Sequence, residues 1–412
     1  MNLILSEKMT SFLSELEIPK NDFQKNELEK LQQMEFPTTK DEYWKYTRLG
    51  KISNSLFTTP TNLSKSLVIT DYLVSDNYIV IENGIIHQEL SNYTNEFGIQ
   101  FLEPEKGTND SELSENDIFN SINTTFYQKA IQINCAKNKT INQPLQLVFV
   151  GTGNKTISNI RLKLRAEKSS SSSIILTCIS NNSTQSFVNL ITEIAVEENA
   201  QFTLHKIQAE NDTSLSISTI QATQAKNTHL KINTFTLSGL LVRNNINIAV
   251  QGENCETYMN GAMIANGKQH IDNHTFVDHQ VANCYSNENY KYVLDNDATG
   301  VFNGRVVVRQ DAQSINAYQK NGNILLSDRA SINSKPELEI YADDVKCSHG
   351  STTGQLDEDA LFYLETRGIQ KEKARKLLVY AFVGEVINST NNESVLKLVK
   401  QLLNKLHNWH IE

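Results

Sequence analysis

A long run of short, strand-like segments is the feature that most limits how this chain can fold. From about residue 131 to residue 345, apolar and polar residues alternate in segments such as IRLKLR, VNLITEIAV and NINIAV. Turns rich in Asn, Ser, Asp and Gly separate these segments, and no convincing helix intervenes. So much consecutive β-structure predicts a sandwich, a barrel or a solenoid.

Two properties of this run favour a solenoid. No series of β-hairpins is evident in it, and similar units recur, in which a turn of small residues leads into an apolar strand. These units are DATGVFNGRVVV, DAQSINAYQKNGNILL and DRASINSKPELEI. Coils of a parallel β-helix produce such units. The period is loose, however, so periodicity alone leaves a sandwich as a competitor.

Segments with other patterns flank the β region. Helical periodicity covers residues 6–16 and 23–34, and YIVIENGIIHQEL predicts a hairpin around Asn83 and Gly84. Near the other end, Asp357 is a candidate N-cap for a helix. We therefore divide the chain into a mostly helical region (1–130), a β core (131–345) and a helical region (346–412).

The C-terminal region is predicted to contain a helix that stops near Gly368 and then two amphipathic helices. Such helices need the β core or a partner to pack against. The two predicted apolar stripes are Ala374, Leu377, Leu378, Ala381, Phe382 and Val386, and Val395, Val399, Leu402 and Leu406.

Charge and hydropathy narrow the classes of function. With 47 acidic and 38 basic residues the net charge is −9, which argues against a general nucleic-acid or anionic-membrane surface. No apolar run reaches the ~18 residues of a membrane span, and Glu7 and Lys8 interrupt the place where a signal peptide needs its apolar stretch. We expect a cytoplasmic protein. GTGNKT lacks a glycine that a phosphate-binding loop needs, so we expect a turn there and no ATP site.

The five cysteines are dispersed along the chain, and none forms a CxxC pair. Neither a disulfide framework nor a self-contained zinc or iron–sulfur site can be recognised. We therefore expect the isolated chain to hold no cluster stably. The cysteines are Cys135, Cys178, Cys255, Cys284 and Cys347.

The segment QHIDNHTFVDH concentrates imidazole and carboxylate groups. His270, Asp272 and His274 have strand spacing and would share one face, and Asp278 and His279 follow. A metal or acid–base site is one interpretation. A ladder of hydrogen-bonded polar side chains is the other, and it is favoured because no third carboxylate that could activate water is evident.

The segment ADDVKCSHG is the sharpest local cluster. Cys347 and His349 would project from the same side of an extended strand, with Asp343 and Asp344 close by. Thiolate and imidazole together suit zinc or iron, but one Cys and one His fill only half of a four-ligand site. Any metal would be shared with another chain or held transiently. The competing interpretation is a buried free thiol beside a structural histidine.

The region from His270 to Phe382 resembles the core of the SufB/SufD family of iron–sulfur cluster assembly proteins. CSHGSTTG followed by LDEDALFYL is similar to the SufD branch, because SufB-type chains usually carry an HEA segment there and a cysteine-rich motif nearer the N-terminus. Weaker similarity, at EYWKYTRL (42–49) and NQPLQLVFV (142–150), extends along most of the chain. The passages that carry the resemblance are HIDNHTFVDH, FNGRVVVRQDAQSINAYQKNGNILLS, SKPELEIYADDVKCSHGSTTGQLDEDALFYLETRGI and the helix A-x-x-LL-x-x-AF.

The resemblance implies a mainly β fold, with a right-handed parallel β-helix between N- and C-terminal helical domains. It also implies a non-catalytic scaffold subunit in a cytoplasmic complex with SufB and the ATPase SufC. In that complex the chain would pair with SufB through the β-helix edge and dock SufC through its C-terminal helical domain. Whether the chain forms a homodimer in isolation is left open.

The resemblance further implies that His349 is a candidate ligand of a transient iron–sulfur cluster at the junction with SufB, which would supply a cysteine. Cys347 is the second choice. Phe362, Tyr363 and Arg367 belong to the helix that leads into the SufC-docking domain.

Two alternatives stay open. One is a purely structural partner that touches no metal. The other is a polysaccharide-acting enzyme, since many of these enzymes share the parallel β-helix fold and use carboxylates along its coils. The carboxylates that could serve in this way are Asp272, Asp278, Asp295 and Asp297.

Overall fold

The fold of the 412-residue chain, seen in a computed structural model, is mainly β. The structure describes residues 7–60, 62–64, 67–105, 117–181 and 185–409. Strands make up 44% of it and form a β-solenoid of about 8 turns, with helices at both ends of the chain. This confirms the solenoid and excludes the sandwich. No helix in the described ranges is both long enough and apolar enough to cross a membrane.

The helices lie where local signals predict them. Asp357 caps α5 by accepting hydrogen bonds from the backbone N–H groups of Asp359 and Ala360, and Gly368 just beyond α5 has φ +82°. The helix predicted over residues 6–16 is shorter, and residue 6 lies outside the described residues. The helices are α1 (Glu7–Leu13), α2 (Asp22–Leu31), α3 (Gly50–Ser53), α4 (Ile118–Phe126), α5 (Glu358–Thr366), α6 (Lys371–Asn388) and α7 (Glu393–His407).

The strands are mostly nine to eleven residues long from β6 onward. They are β1 (Tyr78–Glu82), β2 (Ile85–Ile86), β3 (Gly98–Leu102), β4 (Ala130–Cys135), β5 (Leu145–Gly151), β6 (Thr156–Ala166), β7 (Ser171–Ser180), β8 (Ser186–Val196), β9 (Gln201–Ala209), β10 (Leu215–Gln224), β11 (His229–Thr236), β12 (Leu241–Val250), β13 (Glu256–Ala265), β14 (His270–His279), β15 (Tyr285–Leu294), β16 (Thr299–Val308), β17 (Ile315–Leu325), β18 (Ser331–Ile340) and β19 (Val345–Gly354).

The strands form two sheets that face each other across the solenoid core. From β4 to β19, the even-numbered strands stack in parallel in one sheet (sheet A) and the odd-numbered strands in the other (sheet B). Each coil therefore gives one strand to each sheet. The stacking keeps register, so that Leu215, Leu241 and His270 are neighbours in three successive coils. Side chains at equivalent positions thus form rows along the solenoid axis.

The asparagine-rich turns have a structural reason. At the turn from sheet A to sheet B, one residue in coil after coil has a left-handed backbone, a conformation that Asn tolerates better than most residues. The Asn254 side chain donates to Asn227 at 3.1 Å, and Asn227 donates to Asn199 at 2.9 Å. The residues with positive φ at this turn are Asn138, Ser169, Asn199, Asn227, Asn254, Asn283 and Ser314.

The helices cover the outer faces of the solenoid. The N-terminal helices bury an aromatic cluster, including Phe12 and Phe119, against Phe187 and its neighbours on sheet A. Helices α6 and α7 bury a second cluster against Ile207, Phe235 and their neighbours on sheet B. The helical ends of the chain are therefore packed onto the solenoid and stabilise its outer surfaces by apolar burial.

The two ends of the solenoid differ. At the N-terminal end, β2 pairs antiparallel with β1 through the predicted turn at Asn83 and Gly84, and β3 pairs antiparallel with β4. At the other end, β18 and β19 are the last strands of their sheets in the part of the chain that the structure describes. We call these two strands the free end.

The strand bounds differ from the predicted β core of 131–345. β1 is already paired in parallel with β5, and β19 begins at Val345 and continues to Gly354. The strand signal of β19 is weak because its sequence, VKCSHGSTTG, is polar and contains two glycines. The division into three domains stays a prediction.

Candidate functional site

The free end holds the residues of the ADDVKCSHG cluster. On β19, Cys347 is the register neighbour of Ala317 and His349 that of Gln319, both on β17. Cys347 packs against the edge of the solenoid core, whereas His349 is exposed. The strand geometry predicted for this pair is therefore present, and it lies on the last strand of the sheet.

The apolar interior of the solenoid reaches the free end without a covering layer among the described residues. Ile332 and Leu338 of β18, with Val345 and Cys347 of β19, pack on the core but stay partly exposed. Parallel edge strands also present unpaired backbone groups. In solenoid proteins such an end is capped or occupied by another chain. The free end therefore has the properties of an interface.

The Cys and His side chains at the free end supply half of the ligands that a four-ligand metal site needs. Burial raises the pKa of the Cys347 thiol, an effect that a hydrogen bond with the Ala317 backbone only partly offsets. Asp344 accepts a hydrogen bond from the Ser314 hydroxyl at 2.7 Å, which stabilises the turn before β19. Among the described residues, no group of three His, Cys, Asp or Glu side chains could hold a metal ion.

The polar cluster around Asp272 is a hydrogen-bonded network that lies away from the free end. Asp272 lies fully buried on the outer face of sheet A, where Arg243 Nη1 contacts its Oδ2 at 2.7 Å and Thr47 Oγ1 donates to Oδ2 at 2.5 Å. His274 Nε2 lies 3.0 Å from Oδ1, and His270 Nε2 lies 2.8 Å from Thr47 Oγ1. The polar-ladder interpretation fits this geometry, and Thr47 extends the ladder to the N-terminal region.

Electrostatics keep Asp272 ionised. Burial alone would raise the pKa of this carboxyl, but Arg243 and then His274 outweigh it, so that the pKa lies well below its usual range. The Arg243 guanidinium also lies over the Trp44 ring, 3.8 Å from its centroid. Thr47 and Trp44 belong to EYWKYTRL. Through these two residues the motif holds the N-terminal region against the solenoid.

Three of the four acidic candidates are held in ion pairs with arginines. Asp278 accepts from Arg309 at 2.8 Å, and Asp297 pairs with Arg329 at 2.5 Å. Six residues along one strand separate Asp272 from Asp278, which is about 20 Å, whereas paired catalytic carboxyls need about 5–10 Å. His279 lies inside the solenoid, where it is hydrogen-bonded to Ser286 at 2.9 Å. This geometry argues against the polysaccharide alternative.

A groove of about 840 Å³ lies between the N-terminal region and sheet A. Trp44, Phe276, Arg243 and Arg305 line it. Its arginines are already paired, Arg243 with Asp272 and Arg305 with Glu339 at 2.7 Å. These two arginines therefore offer little uncompensated positive charge to a ligand.

A second exposed surface lies on α5. The side chains of Phe362 and Tyr363 are 67% and 56% exposed, and the Arg367 guanidinium lies 5.2 Å from the centroid of the Tyr363 ring. Leu377 on α6 is also exposed. We call Phe362, Tyr363, Arg367 and Leu377 the α5 patch. Large exposed apolar side chains of this kind are typical of protein interaction sites.

The predicted apolar stripe of α6 is partly wrong. Leu377 and Ala381 are exposed, whereas Val379 and Val383 are buried. α6 carries apolar residues on almost every side, so periodicity could not single out the buried face. The stripe of α7 is confirmed, with Val395, Val399 and Leu402 buried.

The fold and the site define a β-solenoid protein with an open end and an exposed histidine on its last strand. The model of the family "SUF system FeS cluster assembly, SufBD core domain" matches residues 149–382. An iron–sulfur cluster assembly SufBD family protein of Synechocystis is 30% identical over 381 residues, which covers 86% of this chain and 84% of the relative. The chain therefore belongs to the SufBD family of iron–sulfur cluster assembly proteins.

Within this family the chain is SufD-like. The iron–sulfur cluster assembly protein SufD of Escherichia coli is 28% identical over 380 residues, which covers 90% of this chain and 89% of the relative. The chloroplastic protein ABCI7 of Arabidopsis thaliana is 27% identical over 381 residues, which covers 87% of this chain and 80% of the relative.

Proposed function

We propose that this chain is the SufD-type scaffold subunit of a cytoplasmic SufBCD complex, which assembles nascent iron–sulfur clusters and passes them to carrier or target proteins. ATP hydrolysis belongs to SufC. The observation that carries the proposal is the free end, where two parallel edge strands, a partly exposed core and His349 occur together.

SufB is the partner of the free end. A matching pair of strands from a second solenoid would continue both sheets, as in other cases of strand addition. It would also cover Ile332, Leu338 and Val345, which are partly exposed in the single chain. Edge-to-edge pairing places His349 at the junction, because His349 lies on the outermost strand.

At this junction His349 supplies one ligand to the cluster, which is the cargo of the complex, and SufB supplies thiolate. Imidazole binds iron less firmly than thiolate, which suits a site that must release its cluster. Cys347 is the second choice, since its partly buried thiol packs on the core and its raised pKa disfavours the thiolate.

SufC docks on the α5 patch. Aromatic and arginine side chains dominate most protein interfaces, and Phe362, Tyr363 and Arg367 are not used by the core of the chain. Deleting all residues after 345 is a poor test of this docking. The deletion would remove β19 and would also uncover the apolar face that α6 and α7 bury on sheet B.

The test of the proposal is the iron and sulfide content of the purified complex. His349→Ala should leave the complex assembled, because an exposed side chain contributes little to folding, and should lower cluster content strongly. Cys347→Ala should have a smaller effect. His229→Ala, a change at a partly exposed histidine on the outer face of sheet B, is the matched control.

A purely structural SufD-type partner is the competing function. It predicts normal iron and sulfide in the intact His349→Ala complex, with the subunits co-eluting in size-exclusion chromatography. That result would remove the ligand role and leave the scaffold role in place.

A further inference from the structure

A row of polar side chains runs through the solenoid core towards His349. In three successive coils, Glu288 on β15, Gln319 on β17 and His349 on β19 are register neighbours. Gln319 Nε2 donates to Glu288 Oε2 at 2.7 Å, and both side chains are buried. The row therefore links a buried carboxyl to the exposed end of the solenoid.

The burial of these polar side chains in the core is unfavourable for folding. Buried carboxyls are normally paired with a cation. Among the described residues, however, no cationic side chain shifts the pKa of Glu288. Within the same residues, the second carboxyl oxygen of Glu288 and the amide oxygen of Gln319 have no hydrogen-bond partner. Buried groups left in this state are candidates for function.

The fold makes room for the row. A Cβ atom added at Gly304, on the facing sheet, would lie 2.2 Å from Gln319 Nε2 and 2.8 Å from the Phe302 ring. A side chain at position 304 would therefore displace the amide that holds Glu288. The absence of a side chain at Gly304 keeps the link between Glu288 and Gln319 possible.

The groups that face Glu288 are largely neutral. They are Thr275 on β14, Gln319 on β17, and Tyr290 and Tyr292 on its own strand. Burial raises the pKa of Glu288 to about 7, and the nearby Thr275 hydroxyl and the Gln319 amide only partly offset it. Burial raises the pKa of both tyrosines, so they stay protonated near neutral pH.

We propose that Glu288 is a positioning residue for the free end, which releases a proton when iron binds at His349 and takes a proton up when the iron leaves. The inference rests on the proposed role of His349. No bond other than the O–H bond of the Glu288 carboxyl is broken, and the proton goes to solvent. Gln319 connects the carboxyl to the β19 side of the core.

The expected size of the effect follows from distance. Two strand spacings of about 4.8 Å each put the backbone of β19 about 10 Å from that of β15. With an effective dielectric constant of about 20, a carboxylate at that distance changes the affinity for a singly charged cation by roughly tenfold, and for a doubly charged cation by more. Ferrous iron should therefore be held at least about tenfold more tightly once Glu288 is ionised.

The experiment measures iron retained by the assembled complex after anaerobic loading with ferrous iron and sulfide, from about pH 6 to about pH 8 on either side of the Glu288 pKa. Wild type and Glu288→Gln should retain iron equally at the acidic end, and at the alkaline end the affinity of the variant for iron should be at least about tenfold lower. Loading should also remove the infrared band of a protonated carboxyl in wild type, and this change should be missing in Glu288→Gln.

Glu210→Gln is the matched control. Glu210 is a buried glutamate of the same solenoid whose pKa burial likewise raises to about 7, and it follows β9, three coils further from the free end than β15. Its variant should follow the wild-type pH profile. Gln319→Met, which removes the donor but keeps Glu288, should move the midpoint of iron retention to higher pH.

The outcomes separate the two proposals. If His349→Ala lowers cluster content while Glu288→Gln keeps the wild-type pH profile, the positioning role is overturned and the proposed function stands. If His349→Ala does not change the cluster content, the ligand role of His349 is overturned, and the positioning role that rests on it is overturned as well. If Glu288→Gln prevents assembly, the Gln319→Met profile decides, and an unshifted midpoint overturns the role.

Discussion

A buried polar network contributes, beside the aromatic cluster, to holding the N-terminal region against the solenoid. Asp272 is the buried centre of a network that joins Arg243, His274 and Thr47. Its partner Arg243 is buried as well. A pair of this kind is not strongly stabilising compared with apolar residues, but breaking it leaves an uncompensated buried charge.

We expect Asp272→Asn to lower the free energy of unfolding by about 3–5 kcal/mol, because Arg243 loses the carboxylate with which it forms a buried ion pair. Urea unfolding measures the loss, and limited proteolysis shows whether residues 42–49 detach. Asp297→Asn, at an exposed pair with Arg329, should lower the free energy of unfolding much less, because water screens an exposed ion pair. Equal losses in the two variants would contradict this account.

A second prediction at this scale concerns the pH dependence of stability. The pKa of Glu288 is about 7 in the folded chain and 4.5 ordinarily, so between these pH values the folded state binds more protons than the unfolded state. The contribution of Glu288 to the free energy of unfolding therefore falls by about 3 kcal/mol as the pH rises from about 4.5 to about 7.

Glu288→Gln should remove that loss. Its free energy of unfolding should match wild type near pH 5 and exceed it by up to about 3 kcal/mol near pH 8. Denaturant midpoints measured at both pH values check the expectation. A variant that is destabilised at both would mean that the carboxylate has a cation partner.

At the scale of elements, the proposed pairing with SufB depends on the edge strands of the free end. Ile340, at the end of β18, is 41% exposed. Ile340→Lys should weaken binding of SufB about tenfold or more, since a lysine on an edge strand opposes strand addition. Titration calorimetry with purified SufB measures the affinity.

Val68→Lys is the control for this change, because Val68 is an exposed aliphatic residue outside the free end. It should bind SufB as wild type does. Equal binding by the two variants would rule out β18 as part of the junction.

Helix α5 carries the corresponding prediction for SufC. Replacing Phe362 and Tyr363 together by Ala should reduce SufC affinity at least tenfold while leaving the thermal midpoint unchanged, because both side chains are exposed. Tyr341→Ala removes another exposed aromatic, near the free end, and should leave SufC binding intact. A normal affinity in the double variant would refute docking through the α5 patch.

At the scale of the whole molecule, the proposed function makes the chain one subunit of a complex that shares its cluster site. We expect the isolated protein to fold, to be colourless, to hydrolyse no ATP and to retain no stoichiometric cluster, because its cysteines are dispersed and four of the five are buried. Visible absorption, iron analysis and an ATPase assay check this. A brown monomer loaded with cluster would be incompatible with a shared site.

Local features of this chain could be predicted from its sequence. The hairpin at Asn83 and Gly84 follows from backbone conformations that Asn and Gly tolerate, and the cap at Asp357 follows from a hydrogen bond that spans three residues. The shared strand face of Cys347 and His349 depends only on the two-residue period of a strand. Loose periodicity left the solenoid and the sandwich open, and resemblance to the family decided between them.

Only the tertiary structure decided which of these features are exposed and which are buried. Thr47 reaches Asp272 across 225 positions of the chain, and the row from Glu288 to His349 exists because coils of unequal length stack in register. Whether a strand is the last of its sheet, and whether Phe362 is exposed or buried, depends on contacts between segments far apart in sequence. Short-range periodicity contains no information about such contacts, because the same pattern fits a covered surface and an uncovered one.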